Sequence, residues 1–322
     1  VTVATALLAY AALGAFGAPP LLRRGTWSER APRLAVCLWQ AVSLSVLAAA
    51  VLAGLALAVP SVPVTTDVAA MLHACVVSLR DSYATPGGAL AAGSGLVVVA
   101  AVLARVGYCA TTGLVRAGRA RRDHARKLAI LARPAPALGA FVISHDIAAA
   151  YCLPGRGRRV VLTTAALEAL RPQELAAVLA HERAHLAGRH HLILAGADAL
   201  ARAFPMVRLY GAARSDIARL LELAADDAAS RRHPRLSVAA ALAVLAGGGP
   251  QKVGLAAGGP TSLERMHRLL APANPLGPAR TTAGGALAVL LLVLPMVIAI
   301  GPLLGLGHAL YCPIPTDAPS PE

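Results

Sequence analysis

Five consecutive residues, His181-Glu182-Arg183-Ala184-His185, form an H-E-x-x-H run. On a helix, two imidazoles four positions apart stand one above the other and can reach a single metal ion at about 2.0–2.1 Å. With 10 His and 7 Glu in 322 residues, composition alone gives ~0.007 such runs, so chance is a poor account of it. Glu182, between the imidazoles, is placed to serve as general base. The chemistry this pattern suits is metal-assisted hydrolysis.

A catalytic zinc takes three protein ligands and keeps a fourth position open. The third ligand must come from elsewhere in the chain, and Glu222-Leu223-Ala224-Ala225-Asp226 begins 37 residues after His185. Glu222 and Asp226 are again four apart, on a helix otherwise apolar on that side. One carboxylate can bind metal while the other accepts a hydrogen bond from a ligating imidazole. We assign Glu222 to the metal and Asp226 to His181. Asp227 points about 100° away and reads as a solvated or N–H-bonded acid. Singly, each of these residues fits an ordinary core histidine or an exposed acid. Jointly, burying two imidazoles and two carboxylates among Ala and Leu without a metal would leave polar groups unsatisfied at about 1–3 kcal/mol each. His190 and His191 fall outside the motif's spacing and read as interfacial or solvated.

The elements that must position these groups follow from pattern. A helix is expected over residues 172–195, with Pro172 in its first turn and Glu174 at the positive end of its dipole. A second should start at Ser215, a good N-cap, and run to Arg232. Residues 138–144 and 159–163 have the β-branched, turn-bounded character of strands, and 148–153 reads as an edge strand ending at Pro154 and Gly155. A short helix should follow over 164–170. The Gly-rich stretch 247–259 lacks a following GK[ST] and reads as a linker.

Around this domain the chain is strongly apolar, with 14% charged residues and mean hydropathy +0.63. That places it among membrane proteins. Residues 1–22, 34–59, 89–115 and 283–310 are each long and apolar enough to cross a bilayer as helices. The loop after the first carries Arg23, Arg24, Arg30 and Arg33 against Glu29, and the third is followed by Arg116, Arg119, Arg121, Arg122, Arg126 and Lys127. Loop 60–88 holds only Arg80 against Asp67 and Asp81. Positive charge stays inside, so 116–282 is expected to be a cytoplasmic domain, with loop 60–88, tail 311–322 and both termini outside. The first span lacks a basic segment before it and reads as retained, not as a signal peptide. Arg105, inside the third stretch, would cost about 2.5–3.5 kcal/mol at a bilayer centre and is expected to snorkel or end the span early.

Residues 116–282 carry 24 Lys and Arg against 11 Asp and Glu. This excess suits the anionic inner leaflet of a lipid bilayer. A nucleic-acid partner is not expected, because the arginines lie in apolar helices without interleaved aromatics. A transporter is disfavoured because the polar residues cluster in the domain and not at mid-bilayer. The five cysteines form no CxxC pair, so no structural zinc cluster is indicated. Cys75 and Cys312, both expected outside, are read equally as a disulfide or as two thiols.

The run from Arg171 through Pro172-Gln173-Glu174-Leu175 to His185, the later Glu222 to Asp226, and three spans before the domain with one after it resemble the BlaR/MecR-type membrane metallopeptidases. More distantly they are similar to the HtpX-type and CAAX-prenyl proteases. The resemblance implies a gluzincin: an α-helical membrane protein of four spans with an α+β peptidase domain, Zn2+ as cofactor, and a protein or peptide as substrate. It also implies a basic residue after the third ligand that stabilises the oxyanion; Arg265 fits that position better than His267, and a surface arginine paired with Glu264 or lipid phosphate is the alternative. The β-lactam sensors of that family carry a penicillin-binding domain after the last span, where this sequence has only residues 311–322. Sensing through such a domain is not expected, and a trigger would act through the spans, loop 60–88 or a separate regulatory protein.

The expectation is therefore a zinc endopeptidase cleaving a cytoplasmic or membrane-proximal protein, in regulation or quality control, with substrate laid as a strand along edge 148–153. The alternative is a non-catalytic metal-binding signalling scaffold. Glu182 argues against it, since a structural site has no use for a base. Substrate identity and oligomeric state are not written in the sequence.

Overall fold

The computed structural model describes residues 2–58, 86–155, 159–247 and 262–310. Cys75, Cys312, tail 311–322 and nearly all of loop 60–88 and of linker 247–259 lie outside the described residues. Four described helices are long and apolar enough to cross a membrane: α1 (Thr2–Leu22), α3 (Pro32–Ala58), α4 (Pro86–Leu131) and α11 (Pro278–Leu310). A single turn, α2 (Trp27–Arg30), precedes α3.

The chain divides into two compact units. The first gathers Val1–Gly14, Leu44–Ala104 and Val289–Glu322. Within it Leu7, Ala49 and Ala53 form a buried cluster, and α3 meets α4 at two glycines. A Cβ on Gly95 would stand 2.5 Å from the Gly54 carbonyl oxygen, so the backbones touch where neither residue has a side chain. Ser45 donates to the Leu291 carbonyl at 2.6 Å and is itself hydrogen-bonded to Tyr10.

The second unit, Ala15–Ser43 with Arg105–Ala288, holds the small sheet and the helices behind it. Strands β1 (Arg133–Ala135), β2 (Ala140–Ile143), β3 (Ala150–Leu153) and β4 (Arg159–Thr163) take the order β1-β2-β4-β3. Only the β2–β4 pairing is parallel. β4 is flanked on both sides and covered, so Val160, Val161 and Leu162 are all buried and the strand reads as a continuous apolar run. β3 is an edge strand, as its Pro154-Gly155 ending suggests, although it begins at Ala150 and not at 148.

Thr163 caps α5 (Thr164–Ala169) by accepting the Ala166 N–H at 3.2 Å. Next, α6 (Pro172–Ala187) opens on Pro172, and the Glu174 carboxylate accepts the Arg171 N–H at 2.9 Å. The expected single helix over 172–195 is in fact two. α6 stops at Gly188, Arg189 turns into the left-handed region at φ 49°, and α7 (His190–Ala203) starts in a new direction. The helix expected from Ser215 starts earlier, as α8 (Arg208–Ser230). Ser215 is no cap; its hydroxyl donates back to the Gly211 and Ala212 carbonyls. Leu209, Ala213, Ile217, Leu220 and Ala224 make the buried stripe of α8, the helix that packs on α6. α9 (Arg235–Gly247) and the short amphipathic α10 (Ser262–Leu270) close over them through Ala177, Ala229, Val238, Ala239 and Leu269.

Candidate metal centre

α6 and α8 bring together three donor atoms. His181 Nε2 and His185 Nε2 lie 3.1 Å apart, and the Glu222 carboxylate stands 3.6 Å from the first and 3.5 Å from the second. A tetrahedral zinc with bonds of about 2.0–2.1 Å needs ligand atoms about 3.4 Å apart along each edge. The carboxylate straddles the imidazole pair at about that spacing, Oε2 toward His181 and Oε1 toward His185, and among the described residues these form the one such group of His, Cys, Asp and Glu.

The far side of each imidazole is held. His181 Nδ1 stands 3.0 Å from Asp226 Oδ1, and Asp226 is 1% exposed. A carboxylate there holds the proton on Nδ1 and leaves Nε2 as the nitrogen facing the other donors. Asp226 also takes a two-pronged contact from Arg265, Nε to Oδ2 at 2.8 Å and Nη2 to Oδ1 at 2.6 Å. Arg265 extends its remaining nitrogen, Nη1, to Glu222 at 3.1 Å. It is neither a surface arginine nor paired with Glu264. The alternative read from sequence does not hold, because α10 turns Arg265 inward onto the acid pair of α8.

His185 is held by a residue whose spacing reads as interfacial or solvated. His190 is buried, and its Nδ1 lies 2.9 Å from His185 Nδ1. Burial pushes His190 down to about 4 and His185 down to about 3, so both imidazoles are neutral at ordinary pH. One must donate and the other accept. With His185 Nε2 aimed at the donor cluster, its proton sits on Nδ1 and His190 accepts. The turn at Gly188 makes room, since a Cβ there would collide with the His190 ring. A third histidine just beyond the H-E-x-x-H run was the available signal, but helical spacing alone cannot see past a chain reversal.

Burial works to lower His181, but its hydrogen bonds to Asp226 and Glu222 push it up to about 10, so without an ion a proton stands where a metal cation would among these donors. Burial works to raise the Glu222 carboxyl, but the His181 hydrogen bond and the neighbouring His185 and Arg265 outweigh it and hold it at about 2, ionised. Once the His181 proton is displaced, two imidazole nitrogens and one anionic oxygen form a donor set suited to zinc. The residues present fit the metal.

Glu182 lies on the same helix between the two histidines. Burial, opposed by His181 and reinforced by Glu222, pushes its carboxyl up to about 7. Its neighbour across the gap is Cys152 on edge strand β3, whose thiol burial and Glu182 together push up to about 12, so it stays protonated. A carboxyl poised near neutrality, beside three metal-type donors and a free strand edge, is equipped to take a proton and return it.

Residues 116–221 match the model of peptidase family M48. No curated protein and no solved structure matches the chain. The matched segment covers the sheet, α6, α7 and most of α8, and it ends one residue before Glu222. The third donor and Asp226 therefore rest on geometry and not on the family match. Elsewhere in this unit, Asp227 accepts an N–H from Arg268 at 3.0 Å, and Arg105 donates to the Ala203 carbonyl while α4 continues unbroken to Leu131.

Proposed function

We propose that this protein is a membrane-embedded, zinc-dependent endopeptidase that hydrolyses peptide bonds of a cytoplasmic or membrane-proximal protein, in regulation or quality control. The observation that carries the reading is the convergence of His181 Nε2, His185 Nε2 and Glu222 within 3.1–3.6 Å of one another, beside Glu182. The M48 match over residues 116–221 supports the peptidase class. Support for the bilayer comes from the four apolar helices, which turn outward large side chains such as Leu13, Phe16, Leu90, Val97 and Val297. The arginines that follow the first and third spans support a cytoplasmic peptidase domain with both termini outside.

His181, His185 and Glu222 would hold the zinc. When bound, it supplies Lewis acidity that polarises a carbonyl and makes water nucleophilic near neutral pH. Glu182 takes the proton from the attacking water and delivers it to the departing amine. Asp226 and His190 keep both ligating imidazoles in the tautomer that presents Nε2. Arg265, with Nε and Nη2 committed to Asp226, keeps positive charge beside Glu222 and, in our reading, steadies the negative charge that develops on the substrate oxygen. The free edge of β3 lets a substrate strand pair main chain to main chain beside Glu182, which favours weak sequence selectivity.

The test is Glu182→Gln in the full chain. The variant should keep its zinc while the membrane-protein fragments produced by the wild type disappear from a proteomic comparison. Fragments that persist at the wild-type level would refute the assignment.

A further inference from the structure

A second concavity lies on the other flank of α6. It is a cavity of about 600 Å³ walled by the start of α3 (Val36, Cys37, Gln40), by Ala180, Ala184 and Ala187 of α6, and by Leu221, Ala224 and Ala228 of α8. Its size falls in the ~300–1,000 Å³ range of ligand pockets. The wall is almost wholly small and apolar, and four arginines edge it: Arg33, Arg183, Arg231 and Arg232. All four are exposed, and among the described residues none meets an acid; Arg183 spends one N–H on the Leu138 carbonyl at 2.7 Å. What sets these four apart is that they gather on the rim of one apolar cavity.

We propose that this cavity binds an anionic glycerophospholipid. The arginines would take the phosphate, and the alanine and leucine wall would take the glycerol and upper acyl segments. Two observations select a lipid. First, an apolar cleft with a cationic rim complements an amphiphile whose charge sits at one end, and clusters of basic residues beside spanning helices bind anionic headgroups. Second, Arg33 stands in the first turn of α3, a helix of span length, so the rim lies where that span ends. The second point rests on the membrane reading above. His190 also lines the cavity while holding His185, so an occupant would touch a residue one hydrogen bond from the metal ligands.

The experiment uses the full chain in nanodiscs of phosphatidylcholine doped with phosphatidylglycerol, with retained lipid counted by native mass spectrometry. The wild type should retain phosphatidylglycerol in preference to phosphatidylcholine. The variant Arg33→Gln/Arg231→Gln/Arg232→Gln should lose about tenfold or more of that preference, each arginine near a surface being worth several-fold. Arg116→Gln/Arg119→Gln/Arg121→Gln, changed in the basic run of α4, should keep it. Ala228→Phe, which fills the cavity without removing charge, should lose retention of both lipids. Equal retention of the two lipids by the wild type, an unchanged preference in the Arg33 triple variant, or displacement by millimolar inorganic phosphate would each overturn the proposal, the last in favour of a free-phosphate site. A chain that fails to enter nanodiscs at all counts against the membrane reading itself.

Discussion

Replacing Asp226 by Asn keeps the shape of a side chain that is 1% exposed and removes its charge. The new amide oxygen can still accept from His181 Nδ1, at the 3.0 Å position that Oδ1 now occupies. Its NH2 then faces Arg265 Nε where Oδ2 stands at 2.8 Å, donor against donor. Arg265, with its side chain 12% exposed, keeps Nη2 on that amide oxygen and Nη1 on Glu222 at 3.1 Å, but loses its Nε acceptor and the charge opposite it. Removing one partner of a buried pair costs about 3–5 kcal/mol, and the surviving Glu222 contact puts this case near the lower end. Zinc affinity should fall as well, because Glu222 is then the one anionic partner left to Arg265, which competes with the metal for it; loss of such a support is worth about 10–100-fold. Competition with a chromophoric chelator measures the affinity, and denaturant unfolding of the metal-free chain measures the stability. The informative variant is Asp226→Asn/Arg265→Met, which removes both charges. It should bind zinc more tightly than Asp226→Asn alone and recover much of the stability, a coupling that independent sites do not show. Wild-type affinity in the single variant, or simple additivity in the double, would refute the reasoning.

His190→Leu should weaken zinc binding about 10–100-fold by the same logic, and His190→Asn, which restores an acceptor toward His185, should recover part of it in the same chelator assay. In the metal-free chain, Glu182→Gln should stabilise the fold at pH 8 and above. The Glu182 carboxyl is raised by burial to about 7, so its favourable protonated form is fully present below the ordinary glutamate range and is lost as pH rises through 7. The advantage of the glutamine should vanish near pH 4, and urea midpoints across that range check it. Gly95→Leu should force α3 and α4 apart, since a Cβ there meets the Gly54 carbonyl oxygen at 2.5 Å; a fall in the thermal midpoint in detergent, larger than that of Gly93→Leu, is the expected outcome. At Gly93 a Cβ meets nothing within 4 Å.

The local rules that build α6 were legible before any coordinates: Pro172 opens the helix, and the i, i+4 pairs follow from 3.6 residues per turn. β4 was legible in its bounds, because Arg159 to Thr163 is a short β-branched run between turns. What failed were reversals and continuations with no residue signature. Arg189 adopts a left-handed conformation that sequence leads one to expect of Gly or Asn, so the break between α6 and α7 has no residue signature and His190 reads as interfacial or solvated. The helix of the third span also runs beyond residue 115, the expected end of the span, where charge begins. Arg, Lys and Ala are good helix formers, and α4 runs on to Leu131, well past its apolar segment. Ser215 looked like a cap because serine favours caps, yet tertiary packing of Leu209 and Ala213 had already started the helix. For Arg265, sequence gave a position after the third donor but no distance. Only the packing of α10 shows its guanidinium bound to Asp226 and Glu222.

The central claim is that one zinc ion sits among His181, His185 and Glu222, and zinc K-edge absorption of the zinc-loaded full chain tests it most directly. The account predicts one zinc per chain, surrounded by nitrogen and oxygen at about 2.0–2.2 Å with the multiple-scattering signature of two imidazoles, and loss of that zinc in His185→Ala. A sulfur shell at about 2.3 Å, or a zinc content unchanged in His185→Ala, would contradict it.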